Sequence, residues 1–293
     1  MADMNGQVVL VTGATNGIGE VTAHELAKMG ATVVIVGRSN EKTNRVQAEI
    51  KSATNNPNVD VIIADLSQLS EVRKVAETFK TNYDRLDVLV NNAGAVFTSY
   101  QQTDDGYEMT FALNHLNYFL LTNLLLDTLK ASGTPEHQAR IVNVASSAHF
   151  SATLSFPNVQ KTADNFNGIS AYNQSKLMNI MFTYALARRL EAEGAPVTTN
   201  ALHPGLVSTG FARNNGFFAK LFVTLISPFA KNATDGAETQ IYLASSPDVE
   251  GVSGKYFDNS KPVKSNDFSY RVEDQERLWT LSEEMVKLEG AAV

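Results

Sequence analysis

The stretch Val8-Val9-Leu10-Val11-Thr12-Gly13-Ala14-Thr15-Asn16-Gly17-Ile18-Gly19 decides the fold of this chain. Its aliphatic run predicts a buried strand, and the glycines that follow mark a tight turn into an amphipathic segment. At such a strand-to-helix turn the glycines allow the turn itself, the approach of a pyrophosphate to the helix N-terminus, and close helix–strand packing. The stretch therefore predicts a dinucleotide site, although a lone glycine loop is often only a loop. We expect cofactor contacts from Gly13, Thr15, Asn16, Gly17, Ile18 and Gly19.

Short β-branched runs alternate with longer helical patterns along the rest of the chain. The predicted strands are 8–12, 32–36, 59–64, 88–91, 140–145, 197–202 and 255–257. The predicted helices are 17–29, 40–53, 69–83, 106–130, 169–193, 233–244 and 272–289. This alternation is typical of βαβ units and of a parallel sheet buried on both faces. The prediction is α/β: a single doubly wound (Rossmann) domain over 1–293, with about seven parallel strands flanked by helices.

Two long connections and a C-terminal extension lie outside this regular pattern. Residues 146–168 and 208–231 follow predicted strands, and 267–293 form a helical extension. Because ligands of open α/β sheets bind beyond the carboxyl ends of the strands, we expect the two connections to cover the substrate. Their apolar residues predict a hydrophobic substrate pocket: Phe150, Phe156, Phe166, Phe211, Phe217, Phe218, Leu221 and Phe222.

Composition excludes several classes of function. The chain of 293 residues has a formal net charge of −7 and no long basic run, which argues against nucleic-acid binding. It contains no cysteine, so disulfides and thiolate chemistry are excluded. Its five histidines are scattered, and no metal site is expected. No apolar run has the length or pattern of a leader or membrane span, and we expect a cytoplasmic protein without membrane contact.

The end of the second predicted strand indicates which dinucleotide binds. An NAD site usually places an acid there, but this chain has Arg38, followed by Ser39 and Asn40. A guanidinium suits the 2′-phosphate of NADP, and the two polar neighbours can add hydrogen bonds. NADP(H) is therefore the expected cofactor, with NAD as the alternative.

The next two strand ends carry polar and small residues at the same sheet edge. Asp65 and Leu66 follow the third predicted strand, and Asn92, Ala93 and Gly94 follow the fourth. We expect Asp65 to meet the adenine amino group and the small pair 93–94 to leave room for the adenosine ribose. Each motif alone is also an ordinary turn.

Tyr172 and Lys176 lie four residues apart in predicted helix 169–193, so their side chains share one face. A phenol ordinarily titrates near pKa ~10, and a nearby cation favours the phenolate. The pair is predicted to move protons at neutral pH if a cofactor and a partner hydroxyl lie beside it. Without them it is an ordinary surface pair.

These motifs, in this order, resemble those of the short-chain dehydrogenase/reductase family. They are TGxxxGIG at 12–19, Asp65, NNAG at 91–94, Asn114, the serine pair 146–147, Tyr172, Lys176 and Pro204-Gly205. The resemblance covers about residues 7–258, and Leu113-Asn114-His115-Leu116 and His203-Pro204-Gly205 are most similar to the retinol dehydrogenase group. Animal members of that group commonly carry an N-terminal membrane anchor, which the early first strand leads us not to expect here.

The resemblance implies a catalytic set of Asn114, Ser147, Tyr172 and Lys176, with Ser146 as the alternative serine. Tyr172 exchanges a proton with the substrate oxygen while hydride moves to or from the nicotinamide, and the serine donates a hydrogen bond to that oxygen. Lys176 lowers the pKa of Tyr172, and both contact the cofactor. Asn114 supports a water-linked proton path. Further cofactor contacts are implied for Pro204, Gly205, Val207 and Thr209.

The function that follows is NADP(H)-dependent transfer of hydride between the cofactor and a carbonyl or alcohol of a small, hydrophobic substrate. Two alternatives stay open: reduction of an activated C=C or C=N bond, and a non-catalytic NADP-binding sensor or scaffold. A homodimer or tetramer is the family's habit. The long predicted helices 106–130 and 169–193 suit a two-fold interface as well as a monomer.

Overall fold

Aliphatic runs form the strands of one twisted sheet. The computed structural model describes residues 2–156, 158–205 and 233–288. The strands in these residues are β1 (Val8–Thr12), β2 (Thr32–Gly37), β3 (Val59–Ile63), β4 (Val88–Asn91), β5 (Ala139–Val144), β6 (Val197–His203), β7 (Tyr256–Asp258) and β8 (Lys261–Val263). Their order is β3-β2-β1-β4-β5-β6-β7-β8, and every pairing is parallel except that of β7 with β8.

Helices cover both faces of this sheet. In the described residues they are α1 (Gly17–Lys28), α2 (Asn40–Thr54), α3 (Leu69–Asn82), α4 (Met109–Phe111), α5 (Asn117–Ser132), α6 (Gly168–Glu193), α7 (Ala233–Ser245) and α8 (Val272–Val286). The buried side chains form two large clusters, one on each side of the sheet. The predicted doubly wound α/β fold is confirmed.

The sheet reverses its winding between β1 and β4, which are hydrogen-bonded neighbours. Connections run outward from this point in both directions, so the loops after β1 and β4 diverge and leave a crevice at their carboxyl ends. The glycine loop follows β1, and Asn92-Ala93-Gly94 follows β4. The topology therefore brings the predicted cofactor motifs to one place.

The antiparallel strand β8 was not predicted. All three of its residues are exposed, and Pro262 lies in its centre, so it lacks the buried alternation that identifies a strand. The hairpin turns through Asn259 and Ser260, whose φ angles are 49° and 58°. An Asn-Ser pair is a weaker hairpin signal than Asn-Gly.

The predicted helix 106–130 is present as a helical run that begins at Met109 and contains a π-helical turn. The chain becomes helical at Met109, where the Glu108 carboxylate accepts hydrogen bonds from the N–H groups of Thr110 and Phe111. A π-helical turn, Ala112–Leu116, then separates α4 from α5. π-Turns are frequent at functional sites, and periodicity does not reveal them.

The C-terminal helix α8 packs against α6 and α5 through one buried face. Trp279 is 7% exposed, and its ring lies 5.0 Å from that of Phe119 and 5.8 Å from that of Phe182. Glu276 pairs with Arg188 and Arg189 of α6 at 2.6 and 2.5 Å. Within the monomer, α8 thus covers part of the helix surface that we expected to be available for self-association.

The described part of the connection 146–168 contains two 3₁₀ turns, Ser147–Ser151 and Ala163–Asn165. The connection 208–231, which was predicted to cover the substrate, lies outside the described residues. The same is true of its apolar residues Phe211, Phe217, Phe218, Leu221 and Phe222. No helix in the described ranges combines the length and apolar character needed to span a membrane.

Candidate active site

Thr12, at the end of β1, locks the glycine loop to the end of β4. Its Oγ1 accepts the N–H groups of Asn92 and Ala93 at 2.9 and 3.0 Å and donates to the carbonyl of Val90. The Asn92 amide donates to the carbonyls of Thr12 and Gly13. Asn92, predicted as a cofactor contact, therefore braces the loop.

The glycines of this loop are required by close approach. A Cβ on Gly13 would lie 2.8 Å from the Cα of Ala93, and one on Gly19 would lie 2.3 Å from Nδ2 of Asn92. Gly17 begins α1 with a φ of 59°. Larger residues at 13 or 19 would push the loop away from β4.

The N-terminus of α1 faces the crevice with its backbone donors. The preceding Asn16 is exposed, and its side chain makes no capping hydrogen bond to the helix. The first N–H groups of a helix lack intrahelical partners and carry its positive dipole end, so the turn at Gly17-Ile18-Gly19 suits an anion.

Arg38 extends into solvent just beyond β2. Its side chain is 70% exposed, and its guanidinium lies 3.5 Å from Asp65, which therefore has a cationic neighbour at its predicted adenine-binding position. No side chain fits at the preceding position, because a Cβ on Gly37 would lie 2.4 Å from Cγ2 of Thr15 and 2.3 Å from Oγ1 of Thr43. Arg38 is thus the first side chain available at this strand end.

The neighbouring predicted contacts are partly engaged in local structure. Ser39 caps α2, and the Asn40 side chain accepts from that of Asn44. Leu66 and Ala93 are buried behind the strand ends. Pro204 and Gly205 follow β6, and Gly205 has a φ of 87°. The predicted contacts Val207 and Thr209 lie outside the described residues.

The structure brings Tyr172 together with Ser146 rather than with the predicted Ser147. Ser146 extends from the end of β5, and its side chain hydrogen-bonds the Tyr172 hydroxyl while accepting the N–H of Ala148. Ser147 begins the following 3₁₀ turn and is exposed. The choice of Ser147 is therefore corrected, because the chain turns away from Tyr172 one residue after Ser146.

Lys176 is buried between α6 and the end of β5. It is 2% exposed, and its Nζ donates to the carbonyl of Val144 at 2.9 Å. The same Nζ lies 5.6 Å from the ring centroids of both Tyr118 and Tyr172. Burial lowers the pKa of Lys176 to about 7.

The protonation of Tyr172 differs from the expectation. Burial raises its pKa to about 12, and the Ser146 hydrogen bond lowers it by a smaller amount. Lys176 is expected to lower this pKa, but burial disfavours its own charged form, so the cation beside Tyr172 is only partly populated at neutral pH. Tyr172 is a phenol at neutral pH, and the arrangement presents a proton donor next to a hydroxyl.

The π-turn places Asn114 beside this pair. Its Oδ1 accepts the N–H of Ala95, and its Nδ2 donates to the Ala95 carbonyl and to Oγ of Ser175. Ser175 in turn donates to the Tyr172 carbonyl. A Cβ on Gly94 would lie 3.1 Å from Oδ1 of Asn114, so the loop after β4, the π-turn and α6 are held together at this point.

Phe156 and Phe150 were predicted to line the substrate pocket, and Tyr118 and Thr12 lie at the site without having been predicted there. Phe156 is not a pocket wall, because it packs against the core and under the Arg277 guanidinium. Phe150 is 54% exposed. Tyr118 and Thr12 were missed as site residues, since a buried aromatic in a helix and a threonine before a glycine look like ordinary core and turn residues.

No group of three or more His, Asp or Glu side chains among the described residues is arranged to hold a metal ion. His115 is fully buried with its ring beside Phe111 and Phe119, and burial lowers its pKa to about 4. It is packed as a neutral core residue.

Comparisons with known proteins show the family of the chain. The family model of short chain dehydrogenases matches residues 7–217. The chain is 42% identical to human polyprenol dehydrogenase over 280 residues, covering 95% of this chain and 84% of that protein. It is 40% identical to mouse retinol dehydrogenase 12 over 284 residues, covering 97% and 87%.

Solved structures share the fold. An uncharacterized protein from Mycobacterium paratuberculosis has a TM-score of 0.79 and 31% identity, covering 99% of this chain and 96% of that one. The NADP complex of RhlG from Pseudomonas aeruginosa has a TM-score of 0.69 and 26% identity, covering 91% and 98%.

The Tyr118 ring is expected to stabilise the charged form of Lys176. A cation over an aromatic face in a desolvated site gains up to about 2 kcal/mol, so Tyr118→Leu should lower the pKa of Lys176 by about one pH unit. Tyr118→Phe keeps the ring and removes a hydroxyl that is buried without a partner among the described residues, so it should leave the pKa unchanged. The measurement is NMR titration of ¹³C-labelled lysine, with Lys176→Met to assign the signal. Identical titration of the Leu and Phe variants would contradict this role.

Proposed function

We propose that this chain, which belongs to the short-chain dehydrogenase family of oxidoreductases, transfers hydride between NADP(H) and a carbonyl or alcohol group of an apolar substrate. The observation that carries the proposal is the Tyr172 hydroxyl, hydrogen-bonded by Ser146 and followed one helical turn later by the buried Lys176. The cofactor site, the proton path and the substrate class are argued in turn below.

The residues at the switch point suit NADP. Gly13 and Gly19 have no room for a Cβ against the end of β4, so the glycine loop packs closely there and holds the α1 N-terminus at the crevice, where a pyrophosphate would bind. Arg38 supplies an exposed guanidinium for a 2′-phosphate, and releasing its 3.5 Å pairing with the half-buried Asp65 costs little. When bound, the nicotinamide supplies or accepts the hydride, two electrons with one proton.

Besides the hydride, the reaction moves one proton between Tyr172 and the substrate oxygen. In reduction its hydroxyl protonates the carbonyl oxygen as hydride reaches the carbonyl carbon, which gives the alcohol and leaves a phenolate that solvent reprotonates. In oxidation the phenolate removes the hydroxyl proton as hydride leaves. The raised pKa of Tyr172 keeps its hydroxyl protonated at neutral pH, which is the form that reduction requires.

Ser146 and Lys176 support this transfer from two sides. Ser146 donates to the substrate oxygen, where negative charge develops, and its own Oγ is held by the Ala148 N–H. With a pKa of about 7, Lys176 is about half protonated at pH 7, so small changes around it shift its charge and thereby the stability of the Tyr172 phenolate. Asn114 fixes the loop and helix that surround Lys176.

The substrate class follows from the surface beside Tyr172 and from the relatives. Ile169, one turn before Tyr172, is 72% exposed, and Phe166 packs edge-to-face with Tyr100 at 5.8 Å. The loop of Phe97 contacts the start of α6, because a Cβ on Gly168 would lie 2.1 Å from the Phe97 carbonyl oxygen. With relatives named for retinol and polyprenol, these apolar residues support an alcohol or aldehyde on a hydrocarbon chain.

Tyr172→Phe tests the function. In a panel of ketones, aldehydes and their alcohols with both cofactors, the unaltered protein should turn over apolar members. Tyr172→Phe should lower kcat by about 10²–10⁴-fold, because the proton donor is lost while the ring remains. NADPH fluorescence titration should give nearly the same Kd for both proteins.

Unchanged turnover in the phenylalanine variant would exclude Tyr172 as the donor. Binding of NADPH by the unaltered protein without turnover across the panel would favour a non-catalytic NADP-binding role instead.

Arg38→Asp is expected to move cofactor preference from NADP toward NAD. A charge-assisted hydrogen bond contributes about 1.5–3 kcal/mol, so the ratio of kcat/KM for NADP to that for NAD should fall about 10–100-fold. Arg45→Asp makes the same change in net charge on α2, where Arg45 pairs with Glu49, and serves as the control. An unaltered ratio in Arg38→Asp, or an equal fall in both variants, would show that Arg38 does not bind the 2′-phosphate.

A further inference from the structure

The turn that carries Ser146 is also held by the segment that follows β8. This segment, residues 264–270, contains a 3₁₀ turn at Asp267–Tyr270 and lies more than one hundred residues after Ser146 in the chain. Two of its contacts reach the turn through His149 and Asn266, neither of which has a role in the proposed chemistry.

His149 is fully buried, and both of its ring nitrogens are used. Nδ1 lies 2.6 Å from the carbonyl oxygen of Ser146, and Nε2 accepts the backbone N–H of Asn266 at 3.0 Å. A carbonyl can only accept and a backbone N–H can only donate, so the network assigns the proton to Nδ1. Burial lowers the pKa of His149, which keeps this neutral form.

Asn266 holds the same turn from the other side, and we call the contacts of His149 and Asn266 with this turn the clasp. Its Nδ2 lies within 3.0–3.1 Å of the carbonyls of His149, Phe150 and Ala152, and its Oδ1 accepts the N–H of Phe268. One amide group thus contacts three carbonyls of the turn that leads away from Ser146.

The same segment is anchored to the helix that carries Tyr172. Ser265 is 3% exposed and hydrogen-bonds the hydroxyl of Tyr184 on α6 at 2.8 Å and Oγ of Ser269 at 2.7 Å. The Tyr270 ring stacks on that of Tyr184 at 5.3 Å. The segment therefore contacts α6 directly and the Ser146 turn through the clasp.

We propose that His149 and Asn266 are positioning residues that hold Ser146 at hydrogen-bonding distance from Tyr172. The clasp fixes the carbonyl of Ser146, and hence the direction of its backbone, relative to α6. The inference rests on the proposed function for its kinetic readout, while its structural readout is independent of catalysis.

A double-mutant cycle tests the kinetic claim. His149→Phe keeps a ring but removes both hydrogen bonds, and it should lower kcat about tenfold, the equivalent of one hydrogen bond, with the KM for NADPH unchanged. His149→Asn places an amide donor near the former Nδ1 and should recover part of this loss. In a Ser146→Ala background, His149→Phe should have little further effect, because its influence passes through Ser146.

Asn266→Asp provides a second test, because the aspartate side chain has nearly the same shape as that of asparagine. It replaces the NH2 group, whose two N–H donors face three carbonyls, with a carboxylate oxygen, and kcat should fall as in His149→Phe. Asn82→Asp removes an amide donor at the exposed end of α3 and should leave kcat unchanged. Equal losses with and without the Ser146 hydroxyl would overturn the positioning role.

The tautomer of His149 gives a readout that needs no turnover. Long-range ¹H–¹⁵N NMR of the unaltered protein at pH 7 should show His149 neutral with the proton on Nδ1, the signal being assigned with His149→Asn. A proton on Nε2, or a charged ring, would overturn the clasp whatever the enzyme assay gives. If the tautomer is as expected and no substrate turns over, the proposed function fails while the clasp stands.

Discussion

The hydrogen bond from Lys176 to the Val144 carbonyl is the interaction on which the site depends. It joins α6 to the last residue of β5, and the chain reaches Ser146 two residues later. Because Tyr172 lies one turn before Lys176 on the same helix, this bond brings the phenol to the serine. The Lys176 side chain is almost fully buried there, and this burial lowers its pKa because it disfavours the charged form.

Hydrogen bonds of three further residues join the glycine loop, the loop after β4 and α6 at this edge of the sheet. Thr12 and Asn92 tie the glycine loop to β4, and Asn114 ties the loop after β4 to α6 through Ser175. Cofactor loop and proton donor therefore belong to one hydrogen-bonded unit. The clasp of His149 adds a connection from the C-terminal segment, so residues remote in sequence help to align the Ser146 hydroxyl.

Much of this arrangement could be predicted from local sequence signals, and the remainder depends on non-local geometry. Seven strands and the long helices followed from periodicity, because buried parallel strands and amphipathic helices leave regular patterns. β8 was missed because it is short and exposed, and the π-turn at Asn114 because an inserted helical residue has no sequence signature. The serine that contacts Tyr172 was predicted one residue too far along the chain, since only the direction of the backbone after β5 separates Ser146 from Ser147.

The central claim is that β5 delivers the hydroxyl of Ser146, and not that of Ser147, to Tyr172. The most direct measurement compares kcat of Ser146→Ala and Ser147→Ala on one substrate at saturating NADPH. Loss of a donor to the reacting oxygen should lower kcat by about 10²–10³-fold in Ser146→Ala, while the exposed Ser147 should be replaceable without loss. The reverse pattern, with Ser147→Ala inactive and Ser146→Ala active, would contradict the account.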